Sequence, residues 1–158
     1  ALAGAQADPA EWRLTTAGYG PARIGMSVEE AARALGVALV PDGPTDDPEC
    51  TYVVPSPNID GLAIMLSFGH VVRFDVLAPG IKSRSGIGVG DSEAHVLEVL
   101  GAENVEVTPH QYLAPDGNYL TIWNADRGKA LRFETYQGKV TSFHAGRAPE
   151  VRYVEGCA

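Results

Sequence analysis

The chain has 158 residues, 45% of them apolar, so it can bury a sizeable core as a single domain and is not expected to be disordered. Its net charge of −8 disfavours nucleic-acid binding, which needs a basic surface against the phosphates. No segment approaches the run of about 20 apolar residues that a membrane-spanning helix needs. Eighteen glycines and eleven prolines indicate many turns and short helices.

Residues 1–11 are predicted to be a leader or linker. Ala-Gln-Ala at residues 5–7 has the small-x-small form of a signal-peptidase site. Leu-Ala-Gly at residues 2–4 resembles the end of a lipoprotein signal, although Ala5 stands where that signal has cysteine. Both interpretations predict export, and the second adds a lipid anchor at the N-terminus. The alternative is an Ala-rich leader without structure, or a remnant of cloning.

One helix signature occurs twice, at residues 25–36 and again at residues 90–101. Both copies begin with Gly-x-Ser and end with Leu-Gly. In the first copy Ser27 is followed by Glu30, which predicts a capping box, and Gly36 is suited to end the helix. The sequence therefore predicts two short helices, one in each half of the chain.

Alternating apolar residues and Gly-centred turns predict a short strand before the first helix and further strands after each helix. The predicted strands lie at residues 12–16, 50–54, 62–67, 70–77, 105–112, 118–123, 130–135 and 140–145. The dipeptides Phe68-Gly69 and Gln137-Gly138 are predicted as hairpin turns, whereas residues 41–49 form an acidic, Pro-rich loop. The organisation is thus repeat 1 at 12–78, a flexible Gly/Ser linker at 79–89, repeat 2 at 90–146, and a tail at 147–158.

This pattern predicts an α+β fold of two tandem repeats, each with a helix on one face of an antiparallel meander. It resembles the tandem-repeat β-lactamase inhibitor protein family and the small outer-membrane lipoproteins of the barrel-assembly machinery. The motifs that carry the resemblance are Gly25-Met26-Ser27-x-x-Glu30 with Leu35-Gly36, and Gly90-Asp91-Ser92 with Leu100-Gly101, within residues 20–146. The resemblance implies an exported, non-enzymatic protein that binds other proteins through its sheet face and loops. The inhibitor family has a disulfide inside each repeat, which this chain lacks.

The two cysteines, Cys50 and Cys157, allow one intramolecular pairing. A disulfide between them would join the tail to repeat 1, and the alternative is two unrelated thiols. The position of Cys157 near the C-terminus favours the disulfide, because an exposed free cysteine there would be reactive.

Catalytic, metal and cofactor motifs are not recognised. The four histidines lack the spacing of metal ligands, and the acidic residues of the 41–49 loop lack the alternate spacing of a calcium loop. Gly-x-Gly-x-Gly at residues 86–90 does not follow a predicted buried strand, as a phosphate-binding loop would. The sequence therefore predicts no catalytic residue, no metal and no cofactor.

Strand alternation predicts a binding surface on the sheet face opposite Leu120, Phe133 and Phe74. Tyr, Trp and Arg are the residue types that dominate protein-binding hot spots. The predicted surface consists of Tyr119, Trp123, Arg132, Glu134, Arg73, Asp75 and His144. In the alternative interpretation, Trp123 packs against the tail or against the edge of the other repeat.

Together these features predict a non-enzymatic binding module that is periplasmic or secreted, or anchored to the outer membrane, and whose partner is another protein. An enzyme or small-molecule carrier with a pocket between the repeats is the alternative. A broad open sheet face would favour the first, and an enclosed pocket with convergent histidines and carboxylates would favour the second.

Overall fold

The computed structural model describes residues 8–157 and has an α+β fold with two α-helices and two sheets. The fold class predicted from the sequence is therefore confirmed. The interpretation of residues 5–7 as a signal-peptidase site lies outside the described residues.

Both predicted helices form, and capping residues set their starts. Helix α1 spans Val28–Leu35, and the side chain of Ser27 accepts a hydrogen bond from the Glu30 amide at 3.1 Å. The Glu30 carboxylate accepts one from the Ser27 amide at 2.9 Å, which completes the capping box. Helix α2 spans Glu93–Leu100 and begins after Ser92, whose side chain accepts from the amide of the third helical residue.

Twelve strands lie among the described residues. They are β1 Arg13–Thr15, β2 Gly18–Tyr19, β3 Ala22–Arg23, β4 Ala38–Pro41, β5 Thr51–Ser56, β6 Leu62–Ser67, β7 His70–Val76, β8 Lys82–Ser83, β9 Glu106–Pro109, β10 Gly117–Trp123, β11 Lys129–Tyr136 and β12 Lys139–Arg147. Three short 3₁₀ segments lie at Pro9–Glu11, Ala102–Asn104 and Glu150–Arg152.

Eight strands form one antiparallel sheet in the order β4-β5-β6-β7-β12-β11-β10-β9. Each repeat contributes four consecutive strands. The repeats join through their last strands, β7 and β12, where Phe74 pairs with Ala145. One continuous sheet therefore runs through both halves of the chain.

The two repeats also attach their helices to the sheet in the same way. The amide of Gly25 donates to the Val71 carbonyl at 2.8 Å, and in repeat 2 the amide of Gly90 donates to the Val140 carbonyl at 2.9 Å. The duplicated glycines have φ of 99° and 101°, a conformation that glycine adopts without strain. The repetition seen in the sequence is thus a repetition of backbone geometry.

A second, four-stranded sheet was not predicted. Its order is β3-β2-β1-β8, and β8 pairs with β1 in parallel. Strand β8 lies in residues 79–89, which were predicted to be a flexible linker. Ile81 and Ile87 of this segment are buried in the core, and burial of the two apolar side chains offsets the entropy lost in ordering the segment.

The hydrophobic core lies between the helices and one face of the eight-stranded sheet. Leu35 of α1 and Val96 of α2 belong to the same buried cluster as Phe74, Phe133 and Phe143. The rings of Phe133 and Phe143 stack at 5.2 Å. Both helices therefore cover this face, and we call the opposite one the outer face.

Candidate functional site

A segment of the tail covers the outer face of the sheet. We call residues 148–157 the strap. Its anchor is the predicted disulfide between Cys50 and Cys157, which the structure confirms, with a Cα–Cα distance of 5.4 Å. Within the strap, Val151 is fully buried and Glu150 is nearly so. The strap is therefore packed on the sheet at Glu150 and Val151 and covalently attached at its end.

Two side chains of the outer face hold the strap by hydrogen bonds to its backbone. Nη1 of Arg73 donates to the carbonyl of Glu150 at 2.9 Å and to the carbonyl of Tyr153 at 2.8 Å. Nε2 of His144 donates to the carbonyl of Val151 at 2.7 Å. Three backbone carbonyls of the strap thus accept hydrogen bonds from side chains of the sheet.

The charge of Arg73 is balanced beneath the strap. Its Nε donates to Oδ1 of Asp75 at 2.6 Å, and the Tyr52 hydroxyl donates to the other oxygen of the same carboxylate. Burial raises the pKa of Tyr52, and the negative charge of Asp75 raises it further. The hydroxyl therefore stays protonated and keeps its hydrogen bond to the carboxylate.

His144 is neutral in the folded protein. Complete burial, and then the positive charge of Arg73, lower its pKa from 6.5 to about 3. Because the Val151 carbonyl can only accept, the proton of the neutral ring is on Nε2. Nδ1 lies 3.9 Å from Oε2 of Glu134.

A second cluster of side chains lies beside His144 on the outer face. Nδ1 of His110 accepts from the amides of Tyr112 and Leu113, so Nε2 carries the proton and donates to Oε1 of Glu134 at 2.9 Å. The His110 ring also lies 4.6 Å from the Tyr119 ring. The loop between β9 and β10 is thereby fixed to the sheet.

One arginine of this face and one of the strap contact aromatic rings. Cζ of Arg132 lies 4.7 Å from the Tyr119 ring, and its Nε donates to Thr121 at 2.9 Å. Cζ of Arg152, from the strap, lies 4.8 Å from the ring of Trp123. Trp123 therefore packs against the tail, which is one of the alternatives given for this residue in the sequence analysis.

The predicted surface is on the expected face but is not open. The predicted residues converge under or beside the strap. Five of them are buried, namely Arg73, Asp75, Tyr119, Arg132 and His144, whereas Trp123 and Glu134 are partly exposed. The sheet face was expected to be open, and this expectation was wrong. The strap covers the face, because its carbonyls accept hydrogen bonds from the side chains there and one of its apolar side chains packs against them.

A cleft of about 530 Å³ lies next to the strap, and we call it the strap cleft. It is lined by Asp47, Glu49, Cys50, Gln111, Tyr112, Tyr153, Val154, Glu155, Gly156 and Cys157. The Tyr112 hydroxyl donates to the Glu155 carboxylate. Tyr112 is 58% exposed and Tyr153 is 38% exposed.

Sequence reasoning missed these two tyrosines. Tyr112 was placed at the end of a predicted strand, and Tyr153 fell in the tail. Neither position has a local pattern that indicates exposure, and the two segments meet only because the strap folds back over the sheet.

Two structural features are absent from residues 8–157. No group of three or more His, Cys, Asp or Glu side chains there could hold a metal ion. No helix in this part of the chain is long and apolar enough to cross a membrane.

No family model and no curated protein matches the chain. The fold is similar to the solved structure of an extracellular protein containing an SCP domain from Bacillus anthracis str. Ames, with 9% sequence identity and a TM-score of 0.49. The match covers 79% of this chain and 44% of that one, so it spans less than half of the neighbour's length. The resemblance to the inhibitor and assembly-lipoprotein families stays a prediction.

Proposed function

We propose that this protein is an exported, non-enzymatic binding domain, and that its partner is another protein that docks at the strap cleft. The Cys50–Cys157 disulfide supports export, because disulfides form and persist outside the reducing cytosol. A periplasmic or secreted location fits this proposal. A lipid anchor would belong to the N-terminal residues that the structure does not describe.

The observation that carries the proposal is the pair of exposed tyrosines, Tyr112 and Tyr153, on a cleft whose walls are tied together by the disulfide. Tyrosine is enriched in hot spots because it provides a large contact area with few rotatable bonds. A preorganised wall lowers the entropy cost of binding. The cleft therefore combines an amphipathic contact surface with a fixed shape.

The charge of the cleft indicates what kind of surface the partner presents. Asp47, Glu49 and Glu155 are exposed, and the whole chain has a net charge of −8. Complementary charge speeds association and orients the two proteins. We therefore propose that the docking surface of the partner is basic.

The residues predicted from strand alternation receive a revised role in this proposal. Arg73, Asp75 and His144 position the strap, and Tyr119 with Arg132 supports the β9–β10 loop and the sheet beneath it. Trp123 and Glu134 remain candidates for direct contact at the margin of the covered face.

The proposed experiment compares Tyr112→Ala and Tyr153→Ala with Tyr136→Ala, a control on a tyrosine that is as exposed as Tyr153 and lies outside the strap cleft. Proteins captured from envelope extract and culture medium are identified, and the dissociation constant of each is measured. We expect at least a 30-fold weaker affinity for each cleft variant, since truncation of a hot-spot residue costs about 2 kcal/mol.

Tyr136→Ala is expected to stay within threefold of the wild type. The proposal is wrong if both cleft variants bind like the wild type while their melting temperatures are unchanged. Because Tyr153 bonds Arg73 through its backbone carbonyl, the alanine variant keeps that hydrogen bond and the strap stays in place.

A further inference from the structure

Phe68 is the large apolar side chain with the greatest exposure among the described residues, at 67%. It lies at the tip of the hairpin between β6 and β7, with Gly69 as the second residue of the two-residue turn. A phenyl ring in water loses the free energy that burial would give it. The exposed part of the ring therefore contributes nothing to the folding of this chain.

The backbone at Phe68 is also unfavourable for this residue type. Its φ is 49° and that of Gly69 is 79°, so both residues of the turn have the positive φ that such hairpins require. Asn, Asp and Gly tolerate this conformation, whereas a bulky residue is an outlier there. The corresponding turn in repeat 2 has the same geometry, with φ of 50° at Gln137 and 79° at Gly138. The turn itself does not need an aromatic residue.

Carboxylates lie on two sides of the hairpin tip. The amide of Phe68 donates to the Pro48 carbonyl at 2.7 Å, which ties the tip to a loop with Asp47 and Glu49 on either side of that proline. The Gly69 carbonyl accepts from the amide of Val28 at 3.0 Å, and the next two helical residues are Glu29 and Glu30. All four carboxylate side chains are exposed.

We propose that Phe68 is an anchor that inserts into an apolar pocket rimmed by lysine and arginine side chains on the surface of a partner protein. An apolar centre with a charged rim is the usual arrangement of a hot spot, and the acidic rim here is complementary to a basic one. This inference rests on the proposed function and extends its surface, since Asp47 and Glu49 line the strap cleft and also flank the residue that bonds Phe68.

A stability measurement separates an anchor from a structural residue. Phe68→Asn places a residue that tolerates positive φ in the turn and removes a ring that buries little surface. We expect a melting temperature unchanged or raised by about 2 °C. The matched control, Gln137→Asn, is expected to behave in the same way. A fall of several degrees for Phe68→Asn alone would show that the ring stabilises the fold, and the inference would be overturned.

The binding measurement uses the full chain with the photo-crosslinking residue p-benzoylphenylalanine at position 68 or, as control, at position 137. A protein from envelope extract or culture medium that cross-links at 68 and not at 137 is identified and purified. Its affinity is then measured for the wild type, Phe68→Ala and Gln137→Ala. We expect about 30-fold weaker binding for Phe68→Ala and less than a twofold change for Gln137→Ala.

Salt dependence tests the basic rim. We expect the association rate to fall about tenfold between 50 and 300 mM NaCl, and to fall less for the double variant Asp47→Asn, Glu49→Gln. An association rate independent of salt overturns the inference. So does the absence of a cross-link at 68, or self-association that Phe68→Ala abolishes in sedimentation velocity. If Phe68→Ala binds normally while Tyr112→Ala does not, the inference fails and the proposed function stands. If Phe68→Ala, Tyr112→Ala and Tyr153→Ala all bind every partner like the wild type, both the inference and the proposed function fail.

Discussion

Replacement of His144 should change how the stability of this protein depends on pH. Its imidazole is 3% exposed and faces Arg73 and Asp75 of β7, Glu134 and Arg132 of β11, and the Val151 carbonyl of the strap. The folded protein holds it neutral, with a pKa of about 3, whereas the unfolded chain has the ordinary value of 6.5. Between these values the unfolded chain binds the proton and the folded protein does not.

This difference in the pKa of His144 sets the direction and the size of the change in stability with pH. The stability that the folded protein has with a neutral His144 is fully present above pH 6.5. It is lost as the pH falls, because a lower pH favours the protonated unfolded chain. With about 1.4 kcal/mol for each pH unit below 6.5, the loss is about 2 kcal/mol at pH 5 and about 3 kcal/mol at pH 4. At the lower pH this is a large part of the stability of a typical domain.

The assay is urea unfolding at 25 °C with the disulfide intact, followed by circular dichroism at pH 7.5, 6 and 5. His144→Gln keeps an amide that can donate to the Val151 carbonyl but has no proton to bind. We expect it to lose about 2 kcal/mol less than the wild type between pH 7.5 and 5. His95→Gln, an exposed control on α2, should follow the wild type. Parallel pH profiles for His144→Gln and the wild type would refute the account of a buried neutral histidine.

Two further outcomes test how the strap is held. Cys157→Ser should lower the free energy of unfolding by about 2–4 kcal/mol, measured from urea midpoints. Cys50→Ser should lower it by the same amount, and the double variant should lose no more than either single one. Additive losses would contradict a bond shared by the two cysteines. Arg73→Met should cost about 3–5 kcal/mol in the same assay because it leaves Asp75 charged and buried without its cation, whereas Arg33→Met on the surface of α1 should change stability by less than about 0.5 kcal/mol. A small loss for Arg73→Met would mean that the strap does not depend on this ion pair.

The sequence by itself determined the local features of this protein. The capping box of Ser27 and Glu30 lies within one helical turn, so it could be read from adjacent residues. The same is true of the two-residue turns at Gly69 and Gly138, where the conformational freedom of glycine marks the hairpins. Strand alternation placed Arg73 and His144 on the outer face, because side chains of a strand point alternately to its two faces. The cysteine count left one pairing, which the structure has.

Only the tertiary structure decided what covers that face. Arg73 and the Glu150 carbonyl that it bonds are 77 residues apart, and no periodic pattern in residues 148–157 indicates that this segment lies on a sheet. The parallel pairing of β8 with β1 is likewise a long-range contact without a turn signal between the strands. Such contacts form because several groups are satisfied together: three backbone carbonyls, a buried valine and a disulfide for the strap. None of these features alone predicts the position of the strap from the sequence, because they come together only in the folded chain. Tyr112 and Tyr153 face a common cleft for the same reason.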